Sequence, residues 1–220
     1  MATMTEILTI AAGVVHRAEL EIKRSRFITD LAHTDDEEAA RDLIGAARAE
    51  FPDARHHCSA FIVGVPGANA IERSSDDGEP AGTAGKPMLD VLRGAGLCDV
   101  TAVVTRYFGG IKLGTGGLVR AYSDAVRLAL ETAPLVRLKT LQRFAVAIEH
   151  GEAGRVEAEL RRAGYQIDEV TYGHEAEIAV VADDGEALVA LIAHLTAGRV
   201  AAREAGTTVI EISTGGTTGD

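Results

Sequence analysis

Polar and apolar residues alternate along Val15-His16-Arg17-Ala18-Glu19-Leu20-Glu21-Ile22, the period of a half-buried strand. A second short strand is predicted over residues 27–31, after the basic run Lys23-Arg24-Ser25-Arg26. Thr34-Asp35-Asp36-Glu37 reads as a capping box with acids in the first helical turn, where the helix dipole favours them. Ala39, Leu43, Ala47 and Phe51 give that helix an apolar stripe, and Pro52 marks its end. The run over residues 58–65 reads as a buried strand, followed by a polar loop rich in Gly and Pro over 66–87. A short helix over 88–95 leads to the β-prone strand 100–105. After a glycine-rich loop, a long helix is predicted over 117–133, stopped by Pro134. Leu118, Ala121, Ala125, Leu128 and Ala129 share its apolar face, with Arg120/Asp124 and Arg127/Glu131 as i,i+4 pairs on the wet side.

The pattern then resets. Strand 141–148, helix 152–163, strand 166–172, strand 175–182, helix 184–196 and strand 199–206 follow one another. This β-α-β-β-α-β order predicts a ferredoxin-like domain. Gly164 and Gly198 fall where helices end, and Gly173 falls in the hairpin turn. The fold class is therefore α+β with two domains, 1–137 and 138–213, and a disordered tail over 214–220.

Composition narrows the function. The chain has 220 residues, with 33 Asp+Glu against 22 Lys+Arg, for a net charge of −11. A field of that sign excludes indiscriminate coating of nucleic acid or anionic membrane, so any such contact must come from a local patch. Aromatics are 4%, a poor supply of stacking platforms. The two cysteines, Cys58 and Cys98, exclude a disulfide scaffold and a cysteine-rich zinc site. No apolar run reaches membrane-spanning length, so the expectation is a cytoplasmic protein that does not engage a membrane. No metal or cofactor is expected. The carboxylates lack EF-hand spacing, and neither a Walker loop nor a G-x-G-x-x-G fingerprint occurs.

Two segments could carry chemistry. Arg106-Tyr107-Phe108-Gly109-Gly110-Ile111-Lys112-Leu113-Gly114-Thr115-Gly116-Gly117-Leu118-Val119-Arg120 leaves a buried strand and enters a helix. Glycines at 109, 110, 114, 116 and 117 allow positive φ and expose backbone N–H groups at the positive end of that helix. With Arg106, Tyr107, Lys112 and Arg120 they form a candidate anion seat for a nucleotide phosphate or an RNA backbone. The alternative is purely architectural, with the glycines serving tight turns and close packing.

The second segment, Asp76-Asp77-Gly78-Glu79, reads as a solvated turn or as acid/base or metal-ligating carboxylates, with His57 as a further candidate. His57 and Cys58 point to opposite faces of a regular strand, whereas His56 and Cys58 share one, leaving a Cys/His nucleophile as a lesser reading. A buried, inert Cys58 is the alternative.

Arg55-His56-His57-Cys58-Ser59-Ala60, the run from Ser75 through Asp76-Asp77-Gly78-Glu79-Pro80 to Lys86-Pro87, and Val103–Tyr122 resemble the YigZ/Impact family. The match runs from about Arg26 to Ala133, and the RYFGG-x-KLG-x-GGL-x-RAY stretch is specific to that family. Ala81 stands where relatives often carry Ser. The resemblance implies a first domain like domain 2 of ribosomal protein S5, a sheet with helices on one face. It also implies a pairing of domains like domains IV and V of elongation factor G. Eukaryotic relatives regulate translation by competing for the activator of an initiation-factor kinase.

The leading functional reading is therefore a translation-associated regulatory protein that binds RNA, a ribosome component or a protein partner through the glycine-basic turn. An enzyme acting on a small phosphorylated or nucleotide substrate is the alternative. It requires the Asp76–Glu79 loop and the glycine turn to face one another across a pocket. A protein-interaction scaffold is the third.

Overall fold

The computed structural model describes residues 6–65 and 67–213 and divides into two compact units, 7–138 and 139–210. The first unit is built on an antiparallel sheet in the order β2-β3-β6-β4-β5. Its strands are β2 (Val15–Ile22), β3 (Ser25–His33), β4 (His56–Val63), β5 (Ile71–Ser75) and β6 (Val100–Tyr107). β1 (Glu6–Ile10) pairs instead with β7 (Leu135–Ile148).

Side-chain alternation explains how this sheet is covered. On β4, Cys58, Ala60 and Ile62 join a core with Phe27, Leu31, Val100, Ala102 and Val104. Over that face lie α2 (Gly85–Gly94) and α3 (Thr115–Thr132), which supply Met88, Leu92, Leu118, Ala121, Tyr122 and Ala125. Phe61 and Val63 point the other way and pack against Ala40 of α1 (Glu37–Glu50). The resemblance implied helices on one face. Here α1 also packs on the second face, where β4 presents Phe61 and Val63.

Helix starts differ from expectation in instructive ways. The cap of α1 is Asp36, which accepts from the Ala39 N–H at 2.7 Å, and not Thr34. Thr34 is turned inward, sharing a 2.7 Å hydrogen bond with Thr101. On α3, Asp124 pairs with Arg127 at 2.8 Å, and Arg120 has no ion pair among the described residues. β1 and β5 were not predicted. Ile71-Glu72-Arg73-Ser74-Ser75 is an edge strand with one apolar residue, and its backbone hydrogen bonds to β4 define it more than its side chains do.

In the second unit, β7 is joined to β8 (Gln166–Tyr172), β9 (Ala176–Ala182) and β10 (Arg203–Ser213), in the order β10-β7-β9-β8. With α4 (His150–Arg162) and α5 (Gly185–Leu195), this is the ferredoxin-like arrangement. Phe144, Val146, Ile148, Ile178 and Val180 pack under Val156, Leu160, Leu188 and Ile192. β7 spans Leu135–Ile148 and so runs across the expected boundary between 137 and 138. The last strand covers 203–213 where 199–206 was predicted. The tail expected to be disordered lies outside the described residues. No described helix is long and apolar enough to cross a membrane.

Candidate anion-binding site

The loop from β5 to α2 is held in place by its own carboxylates. Ala84, at the N-cap of α2, has no capping side chain. Asp76 reaches across instead and accepts from the backbone N–H groups of Gly82 at 2.7 Å and of Ala84 and Gly85 at 2.9 Å each. Partial burial would raise the Asp76 pKa, but these three donors outweigh it and hold the carboxyl below the usual carboxylate range. A depressed folded-state pKa contributes stability above the unfolded value near 3.9. That stability disappears as pH falls through the lower folded-state value. Asp76→Ala is expected to cost about 1–2 kcal/mol near neutrality. Urea midpoints of wild type and variant should converge at the acid end of a pH series.

Asp77 is equally committed. Its carboxylate accepts from Arg48 and from the His57 backbone N–H, both at 2.6 Å, and its carbonyl accepts from Nδ1 of His56 at 2.8 Å. His57 itself lies on the α1 face, where its Nε2–H donates to the Phe51 carbonyl at 3.1 Å. Strand alternation thus separates His57 from Glu79, which lies on the α2/α3 side.

Glu79 is the buried member of the loop. One carboxylate oxygen accepts from the Arg106 guanidinium at 2.6 Å and from the Tyr122 hydroxyl at 2.8 Å. The Glu79 and Arg106 side chains are only 4% and 8% exposed. The Cys58 thiol sits behind them, 3.0 Å from the Asp76 carbonyl and 3.3 Å from the Tyr122 oxygen. Burial first, then the nearby carboxylates, push Cys58 up to about 12 against the partial help of Tyr122, so it stays a thiol at neutral pH. The Cys/His nucleophile reading fails on this geometry: His56 is hydrogen-bonded to Asp77, and the thiol is enclosed.

Beside this network lies a cavity of about 790 Å³. Strand register places Arg106 opposite His56 on β4 and opposite Phe27 on β3, at the end of the sheet. Asp53, Arg55, His56, Glu79 and Arg106 meet Lys112, Gly114 and Thr115 around the opening, with Tyr107 and Phe108 also on its wall. The acidic loop and the glycine turn therefore share one cavity, but only through Glu79 and Pro80; Asp76 and Asp77 do not line it. No side chain caps α3, whose N-cap is Gly114 at φ +71°. Its first N–H groups carry the positive end of an 18-residue helix. Among the described residues, no group of three or more His, Cys, Asp or Glu is positioned to hold a metal ion.

The glycines of the turn serve different purposes. A Cβ on Gly109 would lie 2.0 Å from the Arg24 carbonyl carbon and 2.2 Å from its oxygen. Gly109 therefore exists to let the turn rest on the tip of the β2–β3 hairpin. Gly110 turns at φ +84°, whereas Gly116 is open, with nothing within 4 Å of an added Cβ, and Gly117 meets only the Leu113 side chain at 3.0 Å. Arg120 is about 200° around α3 from Leu118, which lines the cavity, so the helix turns it away. Sequence reasoning missed Arg55 as a cavity residue. Its signal was register: it precedes His56, whose partner across the ladder is Arg106.

The two folded units define a two-domain α+β protein. Its first unit matches the Impact N-terminal domain over residues 23–130, and its second matches a domain of unknown function, DUF1949, over residues 146–199. The IMPACT family member YigZ of Escherichia coli is 53% identical over 138 residues, 63% of this chain and 68% of that protein. An IMPACT family member of Haemophilus influenzae is 43% identical over 178 residues, 81% of this chain and 84% of that one. YvyE of Bacillus subtilis is 37% identical over 195 residues, 88% of this chain and 89% of that one. A crystal structure of a hypothetical protein matches with a TM-score of 0.61 at 42% identity, covering 90% of this chain and 97% of that one. The chain belongs to the Impact family.

Proposed function

We propose that this protein is a translation-associated regulatory protein that binds RNA or a ribosomal element through the cavity beside α3. Lys112, Arg55 and the first backbone N–H groups of α3 hold one phosphate there. The observation that carries this reading is where unpaired positive charge lies. In the second unit every lysine and arginine, from Lys139 to Arg203, forms an ion pair. Lys23, Arg24, Arg55, Arg73, Lys112 and Arg120 form none among the described residues, and Arg73 does not line the cavity. Arg55 and Lys112 line the cavity, and Arg24 is in backbone contact with the glycine turn. Unneutralised cations on a protein of net charge −11 make a locally positive spot on an otherwise repelling surface. The translational role that the family resemblance implies supports the same assignment.

Binding of this kind is weak and salt-sensitive. Filter binding of single-stranded RNA across a salt series tests it. Lys112→Ala and Arg55→Ala should each weaken binding and flatten the dependence of log K on log salt by about 0.7. RNA binding that is absent at low salt, or slopes identical to wild type, would overturn the assignment. The acid/base alternative has less to draw on, since Asp76, Asp77 and Glu79 already accept hydrogen bonds that hold the loop and α2 together.

A further inference from the structure

Phe108 is unusual for its place. It directly follows β6, the strand at the centre of the first sheet, yet it is 56% exposed and its ring forms part of the cavity wall. The Arg106 guanidinium carbon lies 5.8 Å from that ring's centroid and 5.4 Å from that of Phe27, so Arg106 lies close to both rings. A phenyl ring left in water beside unpaired cations forgoes burial, and the same ring offers a π surface to a ligand. Arg106 backs the ring from within the protein, its guanidinium donating to Glu79 at 2.6 Å and its Nε enclosed. The volume suits one nucleotide and is far too small for a duplex.

We infer that the cavity takes one unstacked nucleotide of single-stranded RNA, its base on Phe108 and its phosphate at Lys112 and the start of α3. This deepens the RNA-binding assignment and rests on it. A duplex keeps its bases stacked and cannot supply one to Phe108, so the site discriminates by strandedness and not by sequence.

Fluorescence anisotropy with a short labelled single-stranded RNA, and the same strand annealed to its complement, separates the two contributions. Phe108→Ala should weaken single-strand binding by about 5- to 150-fold. Its salt slope should stay that of wild type, because no charge is lost. Phe108→Tyr should retain binding, and the duplex should bind more weakly than the single strand. Lys112→Ala should instead change the slope. If Phe108→Ala binds like wild type while Lys112→Ala is weakened, or if duplex and single strand bind alike, the nucleotide assignment is overturned and the phosphate seat stands. If wild type binds neither RNA, both readings fall. The Phe108 side chain is largely in solvent, so its variants should match wild type in circular dichroism and urea midpoint.

Discussion

Glu79→Ala should destabilise the first unit by about 3–5 kcal/mol, the cost of leaving a buried charge without its partner. Glu79 is the acceptor for both the Arg106 guanidinium and the Tyr122 hydroxyl, and among the described residues neither donor has a second carboxylate partner. Arg106 is 7% exposed and Tyr122 is fully buried, so water cannot replace the lost acceptor. Removing both charges together should be far less damaging. The pair Glu79→Leu with Arg106→Met is expected to recover much of the stability, leaving mainly the unsatisfied Tyr122 hydroxyl. Urea unfolding monitored by circular dichroism gives all three values. A loss below about 1 kcal/mol in Glu79→Ala would show that the network is open to solvent.

Gly109→Ala should be comparably severe, while Gly116→Ala should be nearly neutral. At Gly109 the added methyl would meet the Arg24 and Ser25 backbone at 2.0–2.4 Å, and no rotamer change relieves a clash with a main chain. The hairpin and the turn would have to separate, breaking the 3.2 Å bond from the Gly109 N–H to the Ser25 hydroxyl. The expected cost is about 3 kcal/mol or more, at the upper end of overpacking. Gly116 is in the first turn of α3 with open space around it, so alanine there should change stability by less than about 1 kcal/mol. Equal effects at the two positions would contradict the division of the motif into an architectural glycine and an open one.

That division was not legible in the sequence, where Gly109, Gly110, Gly114, Gly116 and Gly117 look alike. What could be read was the placement of cations on either side of a strand-to-helix turn. Arg106 and Lys112 do meet at one cavity. Arg120 does not join them, since the helical rotation between Leu118 and Arg120 carries it to the other side of α3. Arg55 joins from just before β4, far from the motif in sequence, because antiparallel register brings the ends of β4 and β6 together. Asp76, Asp77 and Glu79 stand within four residues and looked like a single acidic group. In the fold they do separate things: Asp76 caps α2, Asp77 ties α1 to β4, and Glu79 neutralises Arg106.

Periodicity by itself determined the order of most elements and the ferredoxin-like second half, because burial on one face leaves a local imprint of period 2 or 3.6. Strand β2 and strand β8 match their predicted bounds. The edge strands β1 and β5, the second covered face of the first sheet, and the assignment of each loop carboxylate came only with the tertiary structure. Their causes are non-local: backbone pairing, register between distant strands, and which buried donors a carboxylate must satisfy. The chain spells out which residues prefer to be inside, but only packing decides which charges meet there and which are left without a partner.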